Sequence, residues 1–179
     1  MKYYIDTEFI EYPNTIDLIS IGIKCEDGRT FYAESTEFDL SKASDWVKEK
    51  VISHLYFYNK DTVLANLLLS DMDLVVFANL KTIKNKIIEF IGNDIPEFWG
   101  YYADYDWVVF CWLFGSMIDL PEGWPMYCKD LKQLLDESGK AEFPKPVDEH
   151  NALSDAIWNE KLHQYLLKNK IKLDLKGIN

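Results

Sequence analysis

The sequence predicts an α/β chain, a mixed central sheet with helices on its faces, on three observations. Short apolar, β-branched runs alternate with segments of helical spacing. An Asp27-Gly28 turn joins two of the early runs as a hairpin. The later runs are each followed by a helical pattern, the order of parallel βαβ units.

Residues 3–5 form a short apolar run and predict the first strand. Residues 16–23 are a longer β-branched run, and 30–34 alternate, so Asp27-Gly28 turns one into the other. Ser41 or Ser44 is placed to cap a helix through Trp46, Val47, Val51 and Ile52. From 54 to 80 the pattern has no single period, and this stretch is expected to be an added helical or lid-like excursion. Helical spacing returns at Ile83, Ile87, Ile88 and Ile91 and ends at Gly92-Asn93. Residues 97–101 read as a buried strand. Val109, Phe110 and Leu113 stand three and four apart, which puts residues 106–114 on a helix ended by Gly115, with Asp106 facing the sheet. Residues 125–128 predict a short strand and 130–137 a helix stopped by Gly139. The stretch 139–149 holds Pro144 and Pro146 and reads as loop, before a last helix over 152–167. This order suits a ribonuclease-H-like mixed five-stranded sheet flanked by helices, built as one domain over 1–179.

Composition narrows the function. Hydrophobic residues make up 48% and aromatics 15%, which excludes a disordered acidic tail and leaves more aromatic surface than a core requires. The formal net charge of −11 repels polyanions at long range. That argues against a nucleic-acid partner unless clustered carboxylates hold divalent cations, which reverse the sign where a phosphate must sit. Cys25, Cys111 and Cys128 make no CxxC or Cys/His pattern and read as buried reduced thiols. No basic stretch leads a long apolar one and no run reaches membrane-spanning length, so a cytoplasmic location without a membrane partner is expected.

Three motifs carry chemistry. Asp6 and Glu8, two apart at the end of an apolar strand, leave the same face, and two carboxylates there repel and lose hydration together unless a cation compensates. If the strand has already ended, the same residues are a solvated turn. Asp106, at the first turn of its helix, either points at the sheet or simply favours the helix dipole. Asp104 competes with it, but Asp106 is in register with the apolar stripe. Asp155 shares a helix face with Ala152 and Asn159, and the small Ala152 and Ala156 permit close approach to a sheet. His150, on the loop before it, is either solvated or suited to deprotonating water.

The ordered set, DxE on the first strand, an aromatic-Asp pair opening a mid-chain helix and HxAxxD opening the final one, resembles the exonuclease motifs of the DEDD superfamily in its histidine-containing DEDDh branch. Phe98-Trp99-Gly100-Tyr101-Tyr102 and Gly123-Trp124-Pro125 are similar to a group of short single-domain bacterial and phage 3′-5′ exoribonucleases. The resemblance covers nearly the whole chain. It implies a ribonuclease-H-like fold, two magnesium or manganese ions held by Asp6, Glu8, Asp106 and Asp155, and His150 as general base. It further implies release of nucleoside 5′-monophosphates from a 3′ end, with Asp6 bridging both ions. Two departures stand out: Tyr101-Tyr102 replaces the His-Asn pair of many relatives, and the 54–80 stretch is longer than the fold needs.

Such a site would hold two ions about 3.5 to 4 Å apart. An acidic chain would grip a strand end by stacking, worth about 1 to 3 kcal/mol per base, with Phe9, Tyr102 and Trp107 near the site. The family's geometry also suggests a sugar contact from Thr7. RNA is favoured over DNA through the family resemblance alone, because discrimination at the 2′-hydroxyl is not readable from sequence. An endonuclease or a non-enzymatic binding module are the competing classes, the last expecting a missing acid. Related small exonucleases often pair, so a homodimer is admitted.

Overall fold

The structure is a computed structural model that describes residues 1–58, 73–138, 143 and 149–176, with side chains in the last helix as far as 169. Strand β1 (Lys2–Tyr12) runs through the middle of the sheet, and its residues Tyr3, Tyr4 and Ile5 are buried on both faces. The apolar run that marks it in the sequence is only its first half; Asp6-Thr7-Glu8 continues the strand and is not a turn.

Strand β2 (Thr15–Cys25) lies antiparallel to β1, and β3 (Thr30–Ser35) antiparallel to β2 across the expected turn. Gly28 takes φ +110° there, a value an L side chain rarely adopts. Strand β4 (Leu74–Ala78) is parallel to β3, β5 (Glu97–Gly100) parallel to β1, and β6 (Lys129–Asp130) parallel to β5. The sheet order is β4-β3-β2-β1-β5-β6.

The sheet therefore has six strands where five were expected. The addition is β4, whose Leu-Val-Val-Phe run was read as part of the excursion; a short apolar run cannot be told from a buried helical turn by period alone. Residues 59–72 of that stretch lie outside the described residues. The last strand also sits later than the 125–128 expected. Met126 and Tyr127 are exposed, so that run is not a core strand, and pairing begins only at Lys129. The loop expected over 139–149, with its stop at Gly139, lies almost wholly outside the described residues.

Helix caps match the chemistry of the residues at them. Ser44 Oγ accepts from Val47 N at 3.2 Å and starts α1 (Asp45–Lys50). Asn79 caps α2 (Leu80–Ile91), and Asp130 caps α4 (Leu131–Glu137). Helix α3 (Asp104–Phe114) ends at Gly115, and α5 (Ala152–Lys176) extends beyond the expected residue 167. The architecture, a six-stranded mixed sheet flanked by these five helices, is consistent with a ribonuclease-H-like fold.

Helices α2 and α3 cover one face, packing Ile83, Ile87 and Phe110 against Tyr3, Ile5 and Ile23. Helix α5 covers the other, with Leu162 and Leu166 on Tyr4 and with Ala152 and Leu153 on Tyr32. Between Glu8 and Phe9 the β1–β2 register slips, leaving Ile19 as an extra residue that joins Ile10, Val51 and Leu55 beneath α1. No helix among the described residues is long and apolar enough to cross a membrane.

Candidate active site

Asp6 and Glu8 project from β1 on the face covered by α5, in keeping with the two-residue period of a strand. Asp6 pairs with Gly22 of β2, and Gly22 allows the first turn of α5 to settle directly on the sheet: a Cβ there would lie 2.3 Å from the Ala152 backbone. One turn further, Asp155 reaches the two strand acids. Asn159, buried another turn on, donates from Nδ2 to the Ile5 carbonyl at 3.0 Å and ties the helix to the residue before Asp6. Carboxylate oxygens of Asp6, Glu8 and Asp155 all lie within 4.8 Å of one another.

Asp106 stands outside that trio, though it lines the same cavity. It comes from α3 on the opposite face of the sheet, and its Oδ1 accepts from the Thr7 backbone N at 2.8 Å and the Thr7 hydroxyl at 2.5 Å. Asp106 is buried and the neighbouring Asp104 exposed, so the choice between them follows the apolar register of the helix.

Burial and mutual repulsion act together on these acids. Burial, then the charges of Asp106, Glu8 and Asp155, hold the Asp6 carboxyl well above the ordinary carboxylate range. Glu8 is pushed up to about 8 by burial and by Asp155 and Asp106. Asp106 rises to about 6, mainly by burial, with the two Thr7 hydrogen bonds pulling the other way.

His150 sits at the lip of the site with φ +72°, and its backbone N donates to Asp155 Oδ2 at 2.9 Å. Its ring meets the edge of Trp46 at 4.8 Å between centroids. Asn151 follows and caps α5, its Oδ1 accepting from Ser154 N at 3.1 Å. His150 and Asp155 thus belong to one turn, which explains the short HxAxxD spacing.

These groups open into a cavity of about 740 Å³. Thr7, Phe9 and Tyr102, the residues expected to contact substrate, line it, but the Thr7 hydroxyl is committed to Asp106. Trp107 does not line it. That indole is buried, stacks on Phe110 with centroids 5.2 Å apart, and donates Nε1 to the Met126 carbonyl at 3.3 Å. It is a core residue because it lies three before Phe110 on the same helical stripe. Sequence reasoning missed Trp46, Tyr101 and Trp158, which line the cavity, and Glu149, a fifth acid there. Tertiary packing alone brings in Trp46, whereas Tyr101 and Glu149 adjoin Tyr102 and His150 and Trp158 lies one helical turn after Asp155. Gly22 carried a readable signal, an isolated glycine inside a β-branched run.

A divalent cation fits this donor set. Three hard oxygen ligands converge within one ion's reach, and the raised pKa values of Asp6 and Glu8 are those of carboxyls crowded without a counter-charge.

A family model described as the 3′-5′ exoribonuclease Rv2179c-like domain matches residues 1–167. The 3′-5′ exoribonuclease Rv2179c of Mycobacterium tuberculosis strain H37Rv is 38% identical over 160 residues, covering 87% of each chain. The same figures hold for the 3′-5′ exoribonuclease MT2234.1 of strain CDC 1551.

Proposed function

The chain belongs to the Rv2179c-like 3′-5′ exoribonuclease domain family, and from that premise we propose that it is a metal-dependent 3′-5′ exoribonuclease of the DEDDh type that releases nucleoside 5′-monophosphates. The observation that carries the reading is the convergence of Asp6, Glu8 and Asp155 on one point at the floor of an aromatic cavity. Family membership supplies the substrate class; the acids and His150 supply the means.

Asp6, Glu8 and Asp155 would hold the metal, and Asp106 would complete the set from behind Thr7. Two Mg²⁺ or Mn²⁺ ions, when bound, supply the Lewis acidity that activates water and offsets charge on the departing oxygen. His150 takes the proton from the attacking water. Water oxygen bonds to phosphorus, the bond from phosphorus to the 3′ oxygen breaks, and that oxygen takes a proton from solvent water as the new strand end, while His150 returns its own proton to solvent. Asp155, through the His150 backbone N–H, keeps the base beside the acids it serves. Tyr102 and Trp46, half or more exposed at the cavity rim, offer faces on which terminal bases stack without regard to sequence.

The test follows matched 5′-labelled RNA and DNA strands with magnesium, manganese or chelator. A metal-dependent ladder shortening from the 3′ end, faster on RNA, is expected. Internal cuts, or no cleavage with either metal, would refute the reading, and a faster DNA ladder would move the substrate to deoxy strands.

A further inference from the structure

Glu34 is fully buried on β3, in the row of the sheet that runs from Glu8 through Ser20. Its carboxylate is wrapped by hydrogen-bond donors. Oε1 accepts from the Tyr32 hydroxyl at 2.9 Å and Tyr56 N at 2.6 Å, and Oε2 accepts from Phe57 N and Tyr58 N, both at 3.1 Å. Three successive backbone N–H groups on one carboxylate form an anion-holding nest, and here the anion is the protein's own.

The consequence lies in what the nest holds. It fixes Tyr56, whose ring packs edge-on against Tyr32 at 5.4 Å and whose hydroxyl accepts from Asn151 Nδ2 at 3.2 Å. Asn151 is the cap of α5 and the residue next to His150. We propose that Glu34, Tyr56 and Asn151 form a positioning relay that fixes the turn bearing His150, and so sets the reach of the base without touching substrate. A buried carboxylate with four donors around it would be an expensive way to close a surface turn; with Tyr56 reaching Asn151, it fixes the turn at the start of α5. The proposal rests on the reading of His150 as the base.

The test is a double-mutant cycle with Tyr56→Phe, which removes one oxygen, and His150→Ala. Tyr56→Phe is expected to lower kcat about tenfold, within what small misplacements of a catalytic group produce, with KM for RNA and Mn²⁺ affinity unchanged. In the His150→Ala background the same change should cost nothing further. An equal loss in both backgrounds, or no loss in either, overturns the relay. Full activity of His150→Ala alone refutes the base assignment, and the relay with it. Should Tyr56→Phe not fold, Asn151→Ser keeps a capping oxygen, removes the amide donor and enters the same cycle with the same expectations.

Discussion

Gly22 of β2 lies flush against Ala152 of α5, with no room between them for a methyl group: an added Cβ would sit 2.3 Å from the Ala152 carbonyl carbon and oxygen and 2.4 Å from Leu153 Cα. All three are backbone atoms and cannot swing aside. Gly22→Ala must therefore lift the start of α5, and with it Asp155, from the strand that bears Asp6. A loss of about 3 kcal/mol in urea unfolding is expected, at the upper end of overpacking costs, with a loss of activity larger than the unfolded fraction explains. An alanine variant with normal stability and rate would show that α5 does not set the distance between the acids.

The crowding of the acids gives a stability signature. Glu8 has a folded pKa of about 8 against about 4.5 unfolded, so its contribution is fully present below 4.5 and is lost as pH rises through 8. Asp6 and Asp106 shift in the same direction. His163, pushed down to about 4 by burial, works oppositely, but only below its ordinary value of 6.5. Between pH 6.5 and 8 Asp6 and Glu8 act without it, Asp106 having given up its proton near pH 6. Chelator-treated protein should then lose about 1.4 kcal/mol per pH unit for each proton retained by the folded state. Mg²⁺ should raise Tm more at pH 8 than at pH 6.5, and Asp6→Asn should flatten the slope. A metal-free Tm that is constant or rises over this window would refute the assignment of the cluster.

Much of this site was legible because its parts are local. The period of a strand places Asp6 and Glu8 together, helix register selects Asp106 over Asp104, and small residues beside Asp155 announce a close approach. Trp107 lies in the core and not at the cleft, and the sequence hides this because α3 is apolar on nearly every side, so no single stripe marks its buried face. Trp46 and the Glu34 relay depend on contacts between residues far apart in the chain, and no local pattern encodes them. The same is true of the bond between Asp106 and Thr7, which joins α3 to the strand residue between Asp6 and Glu8.

Tyr102 and Trp107 should behave as different kinds of aromatic residue. Tyr102 is 64% exposed at the cavity, and Tyr102→Ala is expected to raise KM for RNA by the equivalent of about 1 to 3 kcal/mol while leaving Tm unchanged. Trp107→Ala should cost about 3 to 5 kcal/mol of stability, with KM of the folded fraction preserved. Reversal of this pattern in paired melting and steady-state measurements would return Trp107 to the substrate.

The four acids should also separate in metal binding. Asp155 belongs to the trio whose oxygens lie within 4.8 Å, whereas Asp106 is held at Oδ1 by Thr7 and approaches from the other face. Removing Asp155 strips a ligand from the tightest group; removing Asp106 leaves that group whole. Calorimetric titration with Mn²⁺ should therefore find that Asp155→Ala weakens the tighter event at least tenfold. Asp106→Ala should keep that event and lose a weaker second one, with turnover abolished in both variants. Thr7→Val, which deletes one of the two donors to Asp106, should fall between wild type and Asp106→Ala in rate while keeping the tight event. Equal loss of the tight event in Asp106→Ala and Asp155→Ala would mean that Asp106 turns away from Thr7 when metal binds, and that all four acids share the first ion.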